Sequence, residues 1–377
     1  MDKANILVFG AGAIGTYIGG SLILSGQQVT FTEQPEAARE LGERGLRLEL
    51  KNAEVRPALS TAEGMMNDEC TKSKDDSLFL IPHSSFQVAG SLAEALRDGP
   101  FDIAIFALKS FDTAAALEGM KPYAEQLPPI LCLSNGVDNE PAIAAVFGAD
   151  KIIAGTVTSS IGRRAAGDIM LERLRGVGVA DGHPLSLWLA TMLDEAGLNA
   201  RLYPRPADMK WSKMLTNLMV NASVAILDMP PSQVLSHPGL FELELAMLRE
   251  ALAVMRAQGI RVVDTPKTPV RLLALAARLP AFVSRPLMAK AVGGGRGGKM
   301  PSFHIDLHSG RGRSEVEWLN GAVVRYGEKV GVPTPVNCVL NDTLLALTRG
   351  DLSLSEFRGQ PEKLLEKVMR KKEEVKR

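Results

Sequence analysis

The stretch NILVFGAGAIG, Asn5 to Gly15, decides the fold of the N-terminal half. Asn5 to Phe9 is a short, continuous apolar run, the pattern of a strand buried on both faces of a parallel sheet. It runs straight into Gly10, Ala11, Gly12, Ala13, Ile14 and Gly15, and a helical segment follows to about Ser25-Gly26. A second strand, Val29 to Thr32, then closes on Glu33. Strand, G-x-G-x-x-G, helix, strand and acid, in that order, predict a dinucleotide site rather than a bare tight turn. The glycines permit the turn and let a pyrophosphate approach the amides at the helix N-terminus. Glu33 stands where a carboxylate accepts hydrogen bonds from the adenosine ribose and repels a 2′-phosphate, which favours NADH. Arg39 and Arg44, on the following segment, can reach round to a phosphate and favour NADPH. The residues leave both cofactors open.

The alternation continues outward. Phe101 to Leu108 is another buried strand, ending at Lys109; Ile130 to Leu133 ends in Ser134-Asn135-Gly136; Ile152 to Thr158 is a further strand. Ligands in such folds bind at the carboxyl ends of parallel strands, so Lys109, Asn135 and Gly136 become candidates. Taken singly, a lysine there is also a solvated strand end, and Asn-Gly is also a common turn. Between about Ala53 and Ser77 lies a polar stretch of little periodicity, expected to be a surface insertion.

From about Pro204 long helical patterns replace the alternation: Pro206–Asp228, Gly239–Gln258, Pro269–Leu279, Arg313–Val330 and Pro335–Thr348, separated by proline-rich joints. The expectation is an α/β protein. An N-terminal Rossmann-like domain over residues 1–203 precedes a mostly α-helical domain over 204–377. The glycine-rich segment Val292 to Ser302 suits a lid or a plain connector. The tail, EKLLEKVMRKKEEVKR, suits a solvated surface helix.

Within the first of these helices, KWSKMLTNLMVN (Lys210 to Asn221) is apolar almost all the way round. Yet Lys213, Asn217 and Asn221 recur every fourth residue and so share one narrow stripe. A polar stripe facing other polar groups is the bland explanation. The chemical one is that a bound nicotinamide cannot reduce a ketone unaided. As hydride arrives, negative charge develops on oxygen, and a proton donor must meet it. One lysine and two amides supply a donor and two clamps. His304 and His308 also stand four apart, with Asp306 between them. The pattern lacks the glutamate of H-E-x-x-H and a third histidine at a telling spacing, so no metal is expected there.

Composition bounds the rest. The 377 residues are 46% hydrophobic and 23% charged, and 43 basic residues balance 43 acidic ones. Zero net charge gives no hint of a nucleic-acid or membrane partner. Cys70, Cys132 and Cys338 form no disulfide framework. No signal peptide or spanning run is evident, so a cytoplasmic protein is expected, and its helical domain permits monomer or homodimer.

Together GAGAIG, FALKS, SNGVDNE, KWSKMLTNLMVN and PSFHIDLHSGRGRSEVEWLNG, ending in GVPTPVN, resemble the ketopantoate reductases (2-dehydropantoate 2-reductases). The resemblance covers nearly the whole chain apart from the insertion and the tail. It implies NAD(P)H-dependent reduction of ketopantoate, or of a similar branched 2-keto acid, to the (R)-2-hydroxy acid. An NAD-dependent D-2-hydroxyacid dehydrogenase of the same family is the alternative. By resemblance, Lys213 is the general acid, and Asn217, Asn221 and Ser302 bind substrate. Asn135 contacts both cofactor and substrate, Lys109 and Gly136 face the cofactor, and Glu315, a catalytic candidate beside Lys213, lines the site near nicotinamide and substrate. Two departures stand out. The interval from Ser302 to Glu315 is one residue longer than the common spacing. Many members also carry a basic residue near the end of the second strand, where this chain reads TFTEQP.

Overall fold

Hydrogen-bond register aligns the ends of three strands. In the computed structural model β1 (Asn5–Phe9) pairs in parallel with β2 (Gln28–Thr32), setting Phe9 beside Thr32. On its other side, within a further strand at Ile103–Phe106, Phe106 also sits beside Phe9. Gly10, Glu33 and the segment from Ala107 to Lys109 therefore leave the sheet on one row. The apolar runs explain why: Ile6, Leu7, Val8, Ile103, Ala104, Ile105 and Phe106 are all fully buried. Burying each larger side chain on both faces of the sheet stabilises it by about 1.5–3 kcal/mol.

The structure describes residues 3–50, 71–72, 77–292 and 300–377. Most of the 53–77 insertion and most of the glycine-rich Val292–Ser302 segment lie outside them. The chain divides into two compact units. One comprises Met1–Ser134, Asn139–Pro206 and Pro266–Thr268; the other comprises Asn135–Asp138, Ala207–Thr265 and Pro269–Arg377.

The first unit is doubly wound. After β2 come β3 (Leu46–Glu49), β4 (Thr71–Lys72), β5 (Leu78–Ile81), β6 (Gln87–Ala89), β7 (Ile103–Phe106), β8 (Ile130–Cys132) and β9 (Ile152–Val157). β10 (Ser160–Ala165), β11 (Asp168–Arg173), β12 (Val177–Ala180) and β13 (Ala200–Tyr203) complete it. The larger sheet has the order β13-β12-β9-β8-β7-β1-β2-β6, parallel except where β12 meets β9. The chain thus leaves β1 in one direction through β2 and β6, then returns to the other side through β7 and β8. The point where the order reverses, beside β1, is where open α/β sheets bind ligands. A smaller sheet, β10-β11-β3-β5-β4, was not evident in the sequence, where Thr71–Lys72 fell inside the irregular insertion. The buried Glu49 of β3 pairs there with Arg164 of β10.

The second unit is helical, around the long helix Pro238–Ala257, which buries Leu240, Phe241, Leu245, Met247, Leu248, Ala251 and Met255. The helix expected over Pro206–Asp228 is two helices, Pro206–Leu218 and Ala222–Leu227. They part at Val220, whose φ is +50°. A β-branched residue is costly there, by about 1–3 kcal/mol. What holds it is Glu244, fully buried, which accepts from Val220 N at 2.7 Å and from Ser223 Oγ at 2.5 Å. The tail helix, Pro361–Lys376, is not wholly solvated: Leu364 and Val368 are buried in the helical core. Among the described residues no helix is long and apolar enough to cross a membrane.

Glu250, on the same long helix as Glu244, accepts from Val336 N and Asn337 N at 2.9 Å each, and from Asn337 Nδ2 at 2.8 Å. It thereby caps the helix Pro335–Arg349. Burial outweighs these bonds and raises its carboxyl above the ordinary glutamate value. A raised carboxyl contributes stability that is complete below the unfolded value, about 4.3, and is lost as pH rises through the folded one. The melting temperature of the wild type, relative to Glu250→Gln, is therefore expected to decline as pH is raised from 4 toward neutrality. A flat difference would show that the capping bonds cancel the effect of burial, and a rising one that they outweigh it.

Candidate active site

The first unit carries the dinucleotide candidates. Gly10 has φ +89°, and a Cβ there would lie 2.7 Å from Leu108 Cδ2. At Gly15 a Cβ would lie 1.8 Å from the Gly10 carbonyl oxygen. Both glycines are thus demanded by the fold itself. Gly12 is different. A Cβ would meet nothing within 4 Å, and no side chain caps the helix Ala13–Leu24 that begins beside it. Open space at an uncapped helix N-terminus is what a pyrophosphate needs, so these residues fit a dinucleotide. Ala13 and Ile14 form the first turn of that helix, and both are half-buried. Glu33 Oε1 accepts from Ala11 N at 2.5 Å, which places the carboxylate over the loop.

Of the two arginines weighed against Glu33, Arg44 donates to the Ala166 carbonyl and Arg39 is exposed. Lys109 is half-buried at the end of β7, directly after the Leu108 that crowds Gly10. Its neighbour Ser110 accepts from Asn139 Nδ2 at 3.2 Å, and Asn139 Oδ1 accepts from Thr113 Oγ1 at 2.8 Å. Asn139 is almost fully buried and ties the Lys109 loop to the strand end after β8. It lies in the SNGVDNE motif, whose sequence singled out only its first asparagine and glycine.

The second unit brings the stripe together with Asn135 and Ser302. Lys213 Nζ donates to Asn217 Oδ1 at 2.9 Å, and Asn217 Nδ2 donates to Asn135 Oδ1 at 3.1 Å. Asn221 lies beyond the break at Val220, not on the same helix, yet it rejoins the stripe: its Nδ2 donates to the Asn217 carbonyl at 3.0 Å and to Ser302 Oγ at 3.3 Å. Asn221 Oδ1 accepts from Phe303 N at 3.0 Å, holding the first turn of the helix Ser302–His308. Lys213 and Asn217 are half-buried, the state of a group open to a small ligand but partly withdrawn from water.

The Asn135-Gly136 turn is fixed by what it rests on. Gly136 has φ +86°, and a Cβ would lie 2.7 Å from the Trp318 carbonyl oxygen, so only glycine lets the turn lie on the helix Val316–Lys329. Arg325 of that helix pairs with Asp138 at 2.5 Å. Glu315, only 2% exposed, is the residue from which the helix starts, and its carbonyl accepts from Trp318 N and Leu319 N. Glu244, which the sequence did not single out, shapes this region through Val220. No periodicity links the two, because they stand 24 positions apart, one in the break between two helices and the other on a third.

His304 and His308 each stand two positions from Asp306 on the helix Ser302–His308. Residues two apart on a helix face different ways, and the acid that joins them is Asp228, whose Oδ1 lies 2.7 Å from His304 Nε2. That hydrogen bond, more than any other influence, holds the Asp228 carboxyl below its ordinary value.

Comparison with known proteins gives the family of each part of the chain. Residues 6–181 match the family model described as ketopantoate reductase PanE/ApbA, and residues 207–348 match the model of its C-terminal part. A curated 2-dehydropantoate 2-reductase of Archaeoglobus fulgidus is 26% identical over 356 residues, covering 93% of this chain and 98% of that protein. One from Halobacterium salinarum is 25% identical, covering 92% and 99%. Among solved structures, a PanE/ApbA family ketopantoate reductase from Ralstonia eutropha superposes with a TM-score of 0.71 at 22% identity, covering 92% and 99%. A D-mandelate dehydrogenase complexed with NADH and anilino(oxo)acetate superposes with a TM-score of 0.68 at 20% identity, again covering 92% and 99%.

Proposed function

The chain belongs to the ketopantoate reductase PanE/ApbA family, whose members are oxidoreductases, and from that premise we propose that it reduces 2-dehydropantoate to (R)-pantoate with NAD(P)H. The observation that carries this reading is the run of hydrogen bonds from Lys213 through Asn217 to Asn135, joined through Asn221 to Ser302. It offers one cation and several neutral amide and hydroxyl groups to a single small anion.

When bound, the nicotinamide supplies the hydride to the keto carbon. Charge gathers on the ketone oxygen, and Lys213 gives its proton there. Asn217 accepts from the ammonium and so aims it. Asn135, Asn217, Asn221 and Ser302 hold the substrate carboxylate and hydroxyl, fixing which face of the ketone is presented. Neutral donors suit this task, because a second cation beside Lys213 would make its proton easier to lose before substrate arrives. On the first unit, Gly10 to Gly15 would hold the pyrophosphate, Glu33 the adenosine ribose and Lys109 would face the cofactor; on the second, Gly136 and Glu315 are the residues that the family resemblance sets toward cofactor and substrate.

The test is initial-rate oxidation of NADPH and of NADH, in parallel, with ketopantoate and a small panel of aliphatic and aromatic 2-keto acids. Turnover led by ketopantoate supports the reading. Turnover led by another acid would favour the D-2-hydroxyacid dehydrogenase alternative, to which the Glu33 carboxylate over the loop and the engagement of Arg44 elsewhere both lean. Binding of NAD(H) without turnover of any acid would overturn the reductase assignment for this substrate class. The same two features predict a preference for NADH. In Glu33→Gln the ratio of kcat/KM for NADPH to that for NADH is expected to rise by roughly tenfold, about 1.4 kcal/mol. An unchanged ratio would mean that Glu33 does not meet the ribose.

A further inference from the structure

We infer that Asp228, His304 and His308 form a binding site for a divalent transition-metal ion of the zinc class. One ligand atom from each lies within 4.8 Å of the others. Asp228 ends the helix Ala222–Leu227 with φ 49° and ψ 42°, a left-handed conformation that turns its carboxylate out of the helix. His304 and His308 stand one turn apart on the helix Ser302–His308, their ring centroids 4.2 Å from each other. His304 Nε2 already lies 2.7 Å from Asp228 Oδ1. The carboxylate is held from behind as well: Arg358 Nε lies 3.0 Å from Asp228 Oδ2, which leaves Oδ1 to the imidazoles.

Two imidazole nitrogens and one carboxylate oxygen are a donor set that zinc and its neighbours take up readily. Metal–ligand bonds of about 2.0–2.2 Å place tetrahedral ligand atoms roughly 3.3–3.6 Å apart. The His304–Asp228 contact need only open slightly, and the widest separation close slightly, to reach that spacing. Binding forms a metal–nitrogen bond on the neutral His304 imidazole, through the ring nitrogen that carries no proton; where that nitrogen is Nε2, the contact with Asp228 gives way and the single ring proton is carried by Nδ1. Three protein ligands leave a fourth position for water. Access is direct, because His308 is exposed and the side chains of His304 and Asp228 are 16% and 23% exposed. The positive charge of Arg358 weakens the site, so micromolar rather than much tighter affinity is expected.

The location gives the ion a consequence. It would tie together the same two short helices that Asn221 already ties through Ser302 and Phe303. A metal bound there is therefore a clamp on the substrate-binding amide, and it requires no particular keto acid as substrate.

The experiment is calorimetric titration of the tag-free, chelator-treated full chain with zinc(II) chloride, repeated with cobalt(II) chloride while visible absorption is recorded. One saturable site per chain is expected, with the intense absorption of low-coordinate cobalt(II). His308→Ala, at an exposed position that leaves the fold intact, should weaken binding at least tenfold, as should His304→Ala; His83→Ala, on the other unit, should leave it unchanged. Absence of a saturable site, or equal affinity in wild type and His308→Ala, would overturn the assignment.

Discussion

Lys213→Ala is expected to lower kcat/KM for the keto acid by roughly 10²–10⁴-fold, about 3–5 kcal/mol of transition-state stabilisation. The loss should fall mainly on kcat, because the ammonium is needed most when charge has built up on the ketone oxygen. Lys213→Arg should recover little of it. A guanidinium keeps the positive charge but does not give up a proton in proteins, and its fork would crowd Asn217, which now accepts from Nζ at 2.9 Å. Binding of the dinucleotide, measured by fluorescence titration, should be unchanged in both variants, since the glycine loop and Glu33 belong to the other unit. Retention of more than about a tenth of wild-type kcat/KM in Lys213→Ala would remove the lysine from the proton-transfer step.

Glu244→Ala is the second large effect, and it falls on stability. Truncation strands the Val220 amide and the Ser223 hydroxyl in a fully buried place, at about 1–3 kcal/mol each, and leaves a cavity besides. A loss of roughly 3–5 kcal/mol is expected, a large share of the 5–15 kcal/mol by which a typical protein is stable. Denaturant unfolding of the variant beside wild type measures it. Glu244→Gln keeps one acceptor and most of the volume, so it should fold and should retain about half of that loss or less. In this milder variant the keto-acid KM should rise more than kcat falls, because Val220 sets the entry to Asn221 while Lys213 and Asn217 stay on their own helix. A Glu244→Ala protein as stable as wild type would show that Val220 holds its left-handed backbone without help.

The legible and illegible parts of the molecule follow from the range of the forces involved. The run from Asn5 to Glu33 was readable because every signal in it is local: apolar continuity, glycine spacing and the acid at the strand end. Lys213 and Asn217 were readable for the same reason, since one helical turn joins them. The break after Leu218 was not. Left-handed turns announce themselves through glycine or asparagine, and here the residue is valine, held by an acid on another helix. Asn221 reached its predicted neighbours nonetheless, because the turn carries it back beside the Asn217 carbonyl. The histidine pair shows the same limit. The spacing of His304 and His308 was plain, but the acid beside His304, Asp228, lies 76 positions earlier, beyond the reach of any local pattern. The smaller sheet was missed because β10 and β11 are partly exposed and carry arginines, so neither reads as a buried run.

That smaller sheet also bears on how this chain can be edited. β3 and β5 pair antiparallel from Leu46 beside Ile81 to Glu49 beside Leu78, and Leu50 N donates to the Ser77 carbonyl at 2.6 Å. The chain leaving Leu50 and the chain entering Ser77 are thus already side by side, bridged by hydrogen bonds of their own. If β4, whose Thr71 and Lys72 pair with β5, is kept, lengthening or shortening the part of the sequence before it changes the closure entropy only logarithmically, about 0.6 kcal/mol per doubling. This is a natural port for grafting a reporter peptide or a second domain, or for trimming the gene. The glycine loop and the lysine stripe are built from other segments and would be left as they are.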